Sequence, residues 1–450
     1  MDTRTPDELI KAAPISRYQF LMIAICCLAY AADGVDFAVL PLAAPALAKA
    51  WGIAPALMGL ALSAHGVGLV VGSFFIAPFA DRIGRRVVTQ AAVAVLALTM
   101  FLSAATGTLA VLIALRLVTG VALGTLVVTL NVMVSELANE KSRTLAVGIL
   151  HTGYTLGTMA GGVIAATLLE SHGWRSLFFA AGAISIATFV ATLFLAETPS
   201  FLILARPAGA LDTLNRLLRR MNLPPVDSLP PVPAKADQRK VGIGALFGPG
   251  ARVQTLLICL TGFIFTVAGT FMASWRPQIL ANAGISFYWV GISAVVAGAA
   301  GIVSHVGVGA LARKTGEGPL AIVTLLGMGF FFLMFGLLPQ GNVGGFLAVT
   351  GLAALFNTGA YTAIFLVSIA AFPAVARNAG VGVFNGSARI GTIVGPSLGG
   401  LLLQANLDRL GTVGLFAGML LIPALAVWSL GRRGPIGLAE PVAEPVAEPA

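Results

Sequence analysis

The sequence predicts an all-α integral membrane protein, with twelve transmembrane helices in two pseudo-symmetric bundles of six. Three observations lead there. Hydrophobic residues make up 58% of the chain and charged residues 10%, where a soluble domain carries about 25% charged residues. The apolar residues gather in twelve runs, each near the ~20 residues a helix needs to cross a bilayer. The two halves also repeat. One constant shift lays Gly52-Ile53 on Gly284-Ile285, Pro45 on Pro277, Gly59 on Gly291 and Gly84 on Gly316. A slightly longer one lays Arg143 on Arg377, Gly148 on Gly382, Gly157 on Gly391 and Gly161 on Gly395. Parallel repeats of this kind put a substrate site near the midplane between two bundles, reached alternately from each side.

The runs at 18–45, 55–79, 87–106, 108–133, 144–169 and 175–196 form the first six spans. Those at 253–281, 286–311, 319–338, 343–372, 378–405 and 410–431 form the second six. The organisation is therefore a cytoplasmic N-terminus (1–17), a first bundle (18–196), a cytoplasmic central loop (197–252), a second bundle (253–431) and a disordered cytoplasmic tail (432–450). The central loop is basic and rich in proline, with Pro224-Pro225, Pro230-Pro231 and Pro233. Within it, Ala208–Met221 reads as a short amphipathic surface helix. The tail from Ala439 repeats Glu-Pro-Val-Ala, a low-complexity pattern without a packed core. Ala29-Tyr30-Ala31 has the small-x-small form of a signal cleavage site. The apolar run continues past it, so the first run reads as an uncleaved span. The 53 glycines suit helices that approach closely in lipid.

The formal charge of +9 does not point to nucleic acid, because the basic residues lie in short loops between apolar runs. Their distribution instead orients the chain. With the N-terminus inside, Arg4, Lys11, Arg17, the Arg82/Arg85/Arg86 loop, Lys141, Arg143, the central loop, Arg313, Lys314, Arg377, Arg432 and Arg433 are cytoplasmic. Only Lys49, Arg175 and Arg409 remain outside. Both termini are then cytoplasmic, in a bacterial-type inner membrane. Cys26, Cys27 and Cys259 lie in apolar runs and form no metal spacing. His65, His151 and His305 lie in spans and His172 in a loop; they read as packed side chains without metal partners, with His151 or His305 lining the cavity as the other reading. No nucleophile–base set is present, so the chain is not read as an enzyme, and no cofactor is expected.

Chemistry enters through charges inside the spans. Asp33 and Asp36 of Asp33-Gly34-Val35-Asp36 share a helix face, and an acid at bilayer depth costs about 2.5–3.5 kcal/mol on insertion scales. Two on one stripe imply a polar cavity and a proton site. At ~1.5 Å per residue, Asp33 lies roughly 24 Å from the inner end of its span. Arg116 lies roughly 12 Å from the outer end of span 4, which is a similar depth. It can pair with Asp33 or Asp36 and set proton affinity. Glu136 closes span 4 and joins the proton-coupling candidates. Arg389, near the midplane of span 11, has no acid inside spans 7–12 to pair with. Its planar fork suits a carboxylate substrate, and a structural pair with a first-half acid is the other reading.

The loop after span 2 reads Ala80-Asp81-Arg82-Ile83-Gly84-Arg85-Arg86. It resembles the signature loop of the major facilitator superfamily, with Ala77 where the family's leading glycine stands. Asp81 there can latch the two halves on the cytoplasmic side, with Arg82, Gly84, Arg85 and Arg377 as gating partners. The second copy, Ala312-Arg313-Lys314-Thr315-Gly316, has lost the acid. The Arg116-x-x-x-Gly120 pattern of span 4 resembles the same superfamily. Asp-Gly-x-Asp in span 1, Gly173-Trp174-Arg175 opening span 6, Ser274-Trp275-x-Pro277 ending span 7, and the glycine- and arginine-rich run through Arg377, Gly382, Arg389, Gly391 and Gly395-Pro396 narrow the resemblance to aromatic acid:proton symporters. This implies proton-coupled import of a benzoate- or hydroxybenzoate-type anion by alternating access, by a protein working as a monomer. It implies importance for Asp33, Asp36, Asp81, Arg116, Glu136, Arg377 and Arg389, and substrate contact by Arg389, Asp33 and Trp275. Two positions depart from the family: Arg276 replaces a residue that is usually apolar, and Phe37 one that is usually small or polar. Arg276 lies toward the outer mouth, either snorkelling or attracting anions. Other architectures of use remain: a carrier of a different organic anion, a drug exporter, or a non-transporting membrane solute sensor. Gly153-Tyr-Thr-Leu-Gly157-Thr lacks the proline common in span 5 of proton-driven exporters.

Overall fold

The computed structural model describes residues 5–231, 243–248, 250–373 and 376–433. Pro233 and the Glu-Pro tail from Ala439 lie outside them. Among the described residues twelve long helices follow one another. In the first half these are α1 (Arg17–Trp51), α2 (Pro55–Ile83), α3 (Arg85–Ala105), α4 (Leu109–Leu137), α5 (Arg143–His172) and α6 (Trp174–Thr192). In the second they are α7 (Arg252–Asn282), α8 (Phe287–Thr315), α9 (Glu317–Leu337), α10 (Val343–Ala371), α11 (Arg377–Gln404) and α12 (Arg409–Arg433). Eleven of these contain segments long and apolar enough to cross a membrane. The exception is α11, whose 28 residues include Arg377, Asn378, Asn385, Ser387 and Arg389. It is flanked by its partners rather than by lipid alone, and a polar helix is tolerated where protein covers it.

Local chemistry sets the helix ends. Ser16 and Gln19 form a reciprocal capping box at the start of α1, with bonds of 2.8 and 3.2 Å. The helix continues through Pro41 and Pro45 to Trp51 and stops at Gly52, which has φ +63°. The apolar run ending at Pro45 thus understates the helix, because prolines are accommodated inside a packed membrane helix. In α2 the regular helix ends at Val71. A π turn (Gly72–Ile76) and a 3-10 turn (Ala77–Phe79) follow, a distortion often found at functional sites. The last helix runs through Arg432 and Arg433, so these two complete a helical turn where the sequence reading began the tail.

The repeat is visible in how the helices pair. In each half the first helix packs on the fifth, α1 on α5 and α7 on α11. Across the halves, α2 meets α11 and α5 meets α8. At the end of the bundle opposite the Asp81 loop, here called the far end, these cross-pairs close tightly. A Cβ on Gly291 of α8 would sit 2.5 Å from the Gly162 carbonyl of α5, so only glycine permits the approach. Its repeat mate Gly59 packs on the backbone of Pro396 and Ser397 in α11. Ser63 hydrogen-bonds Ile393 O at 2.6 Å and Ser397 at 2.7 Å. At the Asp81 end, the motif end, the equivalent stretches stand apart: Gly148 of α5, Gly307 of α8, and Gly382 and Gly386 of α11 face open space. The structure is therefore closed at the far end and open at the motif end.

Two of the three basic residues that broke the charge rule have a structural task. Arg175 donates to Ala104 O at 3.1 Å and Thr106 O at 3.4 Å. Its repeat mate Arg409 donates to Gly336 O at 3.0 Å and to Leu338 O. Each satisfies carbonyls at the C-terminus of a neighbouring helix, where a cation also meets the negative end of the helix dipole. The short helix Ala210–Arg220 buries Leu214, Leu217 and Leu218, and Asn215 ties it to both backbone groups of Val226 at 2.8 and 2.9 Å.

Candidate transport site

Charges on α1 and α4 meet in the middle of the first half. Asp36 and Arg116 are both buried, with Arg116 Nη1 donating to Asp36 Oδ1 at 2.8 Å. Arg116 Nη2 donates to Ser103 Oγ at 3.1 Å, and its guanidinium lies 5.5 Å from the Phe178 ring centre. The remaining oxygen, Asp36 Oδ2, takes no hydrogen bond and faces His65 Nδ1 at 3.5 Å. Arg116 thus chooses Asp36 and leaves Asp33 alone. Asp33 is 3% exposed and makes no hydrogen bond or ion pair among the described residues. Tyr30, Tyr154 and Arg389 are within electrostatic range of it.

Arg389 reaches across the halves. Its Nη1 donates to Ser73 Oγ at 2.9 Å. The π turn in α2 carries Ser73, whose hydroxyl also lies within bonding distance of Leu69 O (2.7 Å) and Gly124 O (3.1 Å). No carboxylate lies within ion-pair distance of Arg389 among the described residues. Aromatic rings line this level: Tyr30 packs on Tyr154 at 5.5 Å and on His151 at 5.4 Å, and Tyr361 packs on Phe265 and Phe365. A cavity of about 210 Å³ lies between the halves, running from Arg276, toward the far end, to Thr155 and His305, the repeat mates of Arg389 and Ser73. Phe37, Thr155 and Thr158 line it from the first half, and Arg276, His305 and Asn357 from the second.

At the motif end, Gly84 turns the chain with φ +110°. Arg85 then binds Asp81 Oδ1 at 3.0 Å, Glu136, and Thr198 Oγ1 at 3.2 Å. Glu197 accepts the backbone N–H groups of Arg85 and Arg86 at 3.0 and 3.2 Å.

A profile of the Major Facilitator Superfamily matches residues 26–364. The chain belongs to this superfamily. Its members are transporters rather than enzymes, and this transporter is a multi-pass membrane protein. It is 30% identical to the gallate transporter of Pseudomonas putida, over 89% of each chain. It is 28% identical to the 4-hydroxybenzoate transporter PcaK of Acinetobacter baylyi, over 93% of this chain and 91% of that one. Among solved structures, a bacterial homologue of the human lysosomal transporter Spinster, inward-facing and unoccupied, superposes with a TM-score of 0.71 at 17% identity, covering 94% and 98% of the two chains. The xylose transporter XylE from E. coli in its inward open conformation gives 0.70 at 16% identity, over 92% and 96%. These structures share the fold.

The transporter brings together some of the residues singled out from its sequence and separates others. Asp33, Asp36 and Arg116 share one region, and Arg389 faces Asp33 from the other half. Glu136 does not join them. It is held by Arg85 at the motif end of α4, away from the acids of α1. Trp275 is 2% exposed and donates Nε1 to Pro396 O at 2.8 Å. It ties α7 to α11 and borders a far-end hollow, not the cavity between the halves, so it is not placed for substrate contact there. Arg82 and Arg377 are exposed, and Asp81 pairs within its own half; no contact joins Asp81 to Arg377 among the described residues. Arg276 does not snorkel: its Nε is buried and the side chain lines the cavity. His65, which the sequence reads as packed, faces Asp36, and His305 lines the cavity, the other reading its sequence position allows. Ser73 and Asn357 were missed altogether. Asn357 carried the same signal as Asp33, a strongly polar residue in mid-run; Ser73 acquires its role only through the π turn.

The Asp81 loop yields a first prediction. Asp81 is two-thirds exposed at 66%, where an ion pair contributes at most about 1 kcal/mol. Asp81→Asn should therefore leave the melting temperature and membrane insertion unchanged. Uptake should nevertheless fall about tenfold if this acid latches the halves when the motif end closes. Unchanged uptake at normal protein levels would reduce the loop to a topology signal.

Proposed function

We propose that this transporter imports a one-ring aromatic carboxylate together with a proton, by alternating access across a bacterial inner membrane, with both termini in the cytoplasm and the monomer as the working unit. The observation that carries the reading is that Asp33 and Arg389 stand within electrostatic range of each other across the two halves. Among the described residues one is a buried acid without a bonded partner, and the other is an arginine held only by a hydroxyl. The names of the relatives, gallate and 4-hydroxybenzoate transporters, support an aromatic acid as the cargo.

The steps follow from charge. Protonation of Asp33 removes the anion that competes for Arg389. The substrate carboxylate then takes both arms of the guanidinium, a bidentate geometry a lysine cannot reproduce. The rings of Tyr30, Tyr154 and Tyr361 give the substrate ring an apolar wall. Loss of the proton at the open motif end restores the Asp33 charge and drives the anion off Arg389. Asp36 stays bound to Arg116.

The test is uptake of labelled 4-hydroxybenzoate into proteoliposomes under an imposed proton gradient. Accumulation should collapse with a protonophore, and proton influx should accompany substrate. Arg389→Lys should lower binding and uptake about tenfold or more despite keeping the charge. Wild-type affinity in that variant would remove Arg389 from the site, and accumulation indifferent to the gradient would exclude proton coupling.

A further inference from the structure

Resting on the aromatic-acid reading, we infer that the cavity between the halves is a second anion site, separate from Arg389. Arg276 takes the carboxylate of a one-ring acid there, and Asn357 takes a hydroxyl on its ring.

Three polar groups around this one cavity lack partners. Arg276 Nε is buried without a hydrogen bond, and no carboxylate stands within ion-pair distance of its guanidinium among the described residues. The second bundle offers it none. Between residues 253 and 431 the acids are Glu317 and Asp408. Glu317 opens α9 at the motif end, and Asp408 caps α12 by accepting from Gly411 N at 2.8 Å. Asn357 Oδ1 and Thr350 Oγ1 are likewise buried and unbonded. Helical threonines in this bundle ordinarily return their hydroxyl to a carbonyl one turn back. Thr261, Thr266, Thr270 and Thr324 do so at 2.7–2.8 Å. Thr350 does not. Buried polar groups are almost always paired, and three exceptions facing one space describe a site made for a ligand. A guanidinium calls for an anion, and an unbonded amide oxygen calls for a group that donates to it.

Size and walls fit a single ring. A dry cavity of ~150 Å³ admits benzene; this one holds about 210 Å³, with Phe37, Met272 and Phe332 among its walls. Phe37 and Pro41 also border the small hollow at Asp36, His65 and Arg116, so the site adjoins the acid network of the first half.

The two arginines cannot share one such substrate. Helices α7 and α11 run side by side, with Gly391 against Phe263 and Val267, and Gly399 against Phe271 and Trp275. Arg389 therefore lies level with the stretch near Phe263, and Arg276 lies roughly 20 Å further toward the far end at ~1.5 Å per residue. Arg276 holds the acid in the far-end part of the cavity, and Arg389 receives it nearer the motif end. The path has two stations in series.

The experiment measures binding of benzoate, 4-hydroxybenzoate and hexanoate to the full-length protein in nanodiscs, together with melting of the empty protein. Arg276→Gln should weaken benzoate and 4-hydroxybenzoate alike, about tenfold or more. It should leave the empty protein's melting temperature unchanged or higher, because the group removed has no partner. Asn357→Leu should weaken 4-hydroxybenzoate and spare benzoate. Wild-type affinity for both aromatic acids in Arg276→Gln overturns the site and leaves the aromatic-acid reading standing. A lowered melting temperature in that variant assigns Arg276 a structural role and overturns the site as well. Wild-type protein that binds hexanoate but neither aromatic acid, and loses it in Arg276→Gln, supports the anion site and overturns the aromatic reading.

Discussion

Arg116→Leu is expected to destabilise the protein by about 3–5 kcal/mol, because it strands the Asp36 carboxylate in a dry interior. The arginine is the donor to Asp36 and is itself held by Ser103, so nothing of similar geometry replaces it. His65, at 3.5 Å from the other oxygen, is the one cation candidate left beside the acid among the described residues. The paired change Asp36→Leu with Arg116→Leu should recover most of the loss, since two well-packed apolar residues often match a buried ion pair. Thermal melting in detergent of the two single variants and the double forms a complete cycle. A single variant as stable as the wild type would show that the pair is not the anchor of the first half. The double variant also separates stability from transport: it should fold and still fail to concentrate substrate.

Asp33→Asn should abolish gradient-driven accumulation while substrate exchange across the membrane survives. The amide keeps the size of the acid and mimics its protonated state, so the substrate still meets Arg389 without a competing anion. What it cannot do is give the proton back. Labelled substrate and proton influx measured together in proteoliposomes test this. Accumulation at the wild-type proton ratio in Asp33→Asn would move the coupling elsewhere. His65, beside Asp36, would then be the next group to change, since Glu136 is committed to Arg85 at the gate loop.

The fold was legible because bilayer crossing imposes length and apolarity on every span, and because a repeat copies its turns. Gly52 and Gly284, matched by the shift, both adopt positive φ, as do Gly84 and Gly316. Within the site, what could be read from sequence was the rarity of a charge at depth: Asp33, Asp36, Arg116 and Arg389 stand out by residue type alone. What could not be read was partnership. That Arg116 binds Asp36 and not Asp33 depends on one helical turn of rotation in α1. That Glu136 belongs to the gate depends on where α4 ends relative to α3. Trp275 resembled a ligand contact because its ring is large and lies in a motif; its N–H is instead consumed by Pro396 O. Arg276 was visible as a charge in an apolar run, but its direction is set by packing.

The seam at the far end is built almost without formal charge. Bare backbone meets backbone at Gly162 and Gly291, and hydroxyls meet at Ser63 and Ser397; one carboxylate, Glu170, touches a backbone N–H there at 3.3 Å. The motif end, by contrast, carries Asp81, Arg82, Arg85, Arg86, Glu136 and Arg377. Dissolved ions screen charges at a protein surface and leave dry van der Waals contact untouched. Ionic strength should therefore act on the motif end and not on the far-end seam. The two half-cycles of the proposed transport cycle, symmetric in ancestry, should respond differently to the salt of the compartments they face.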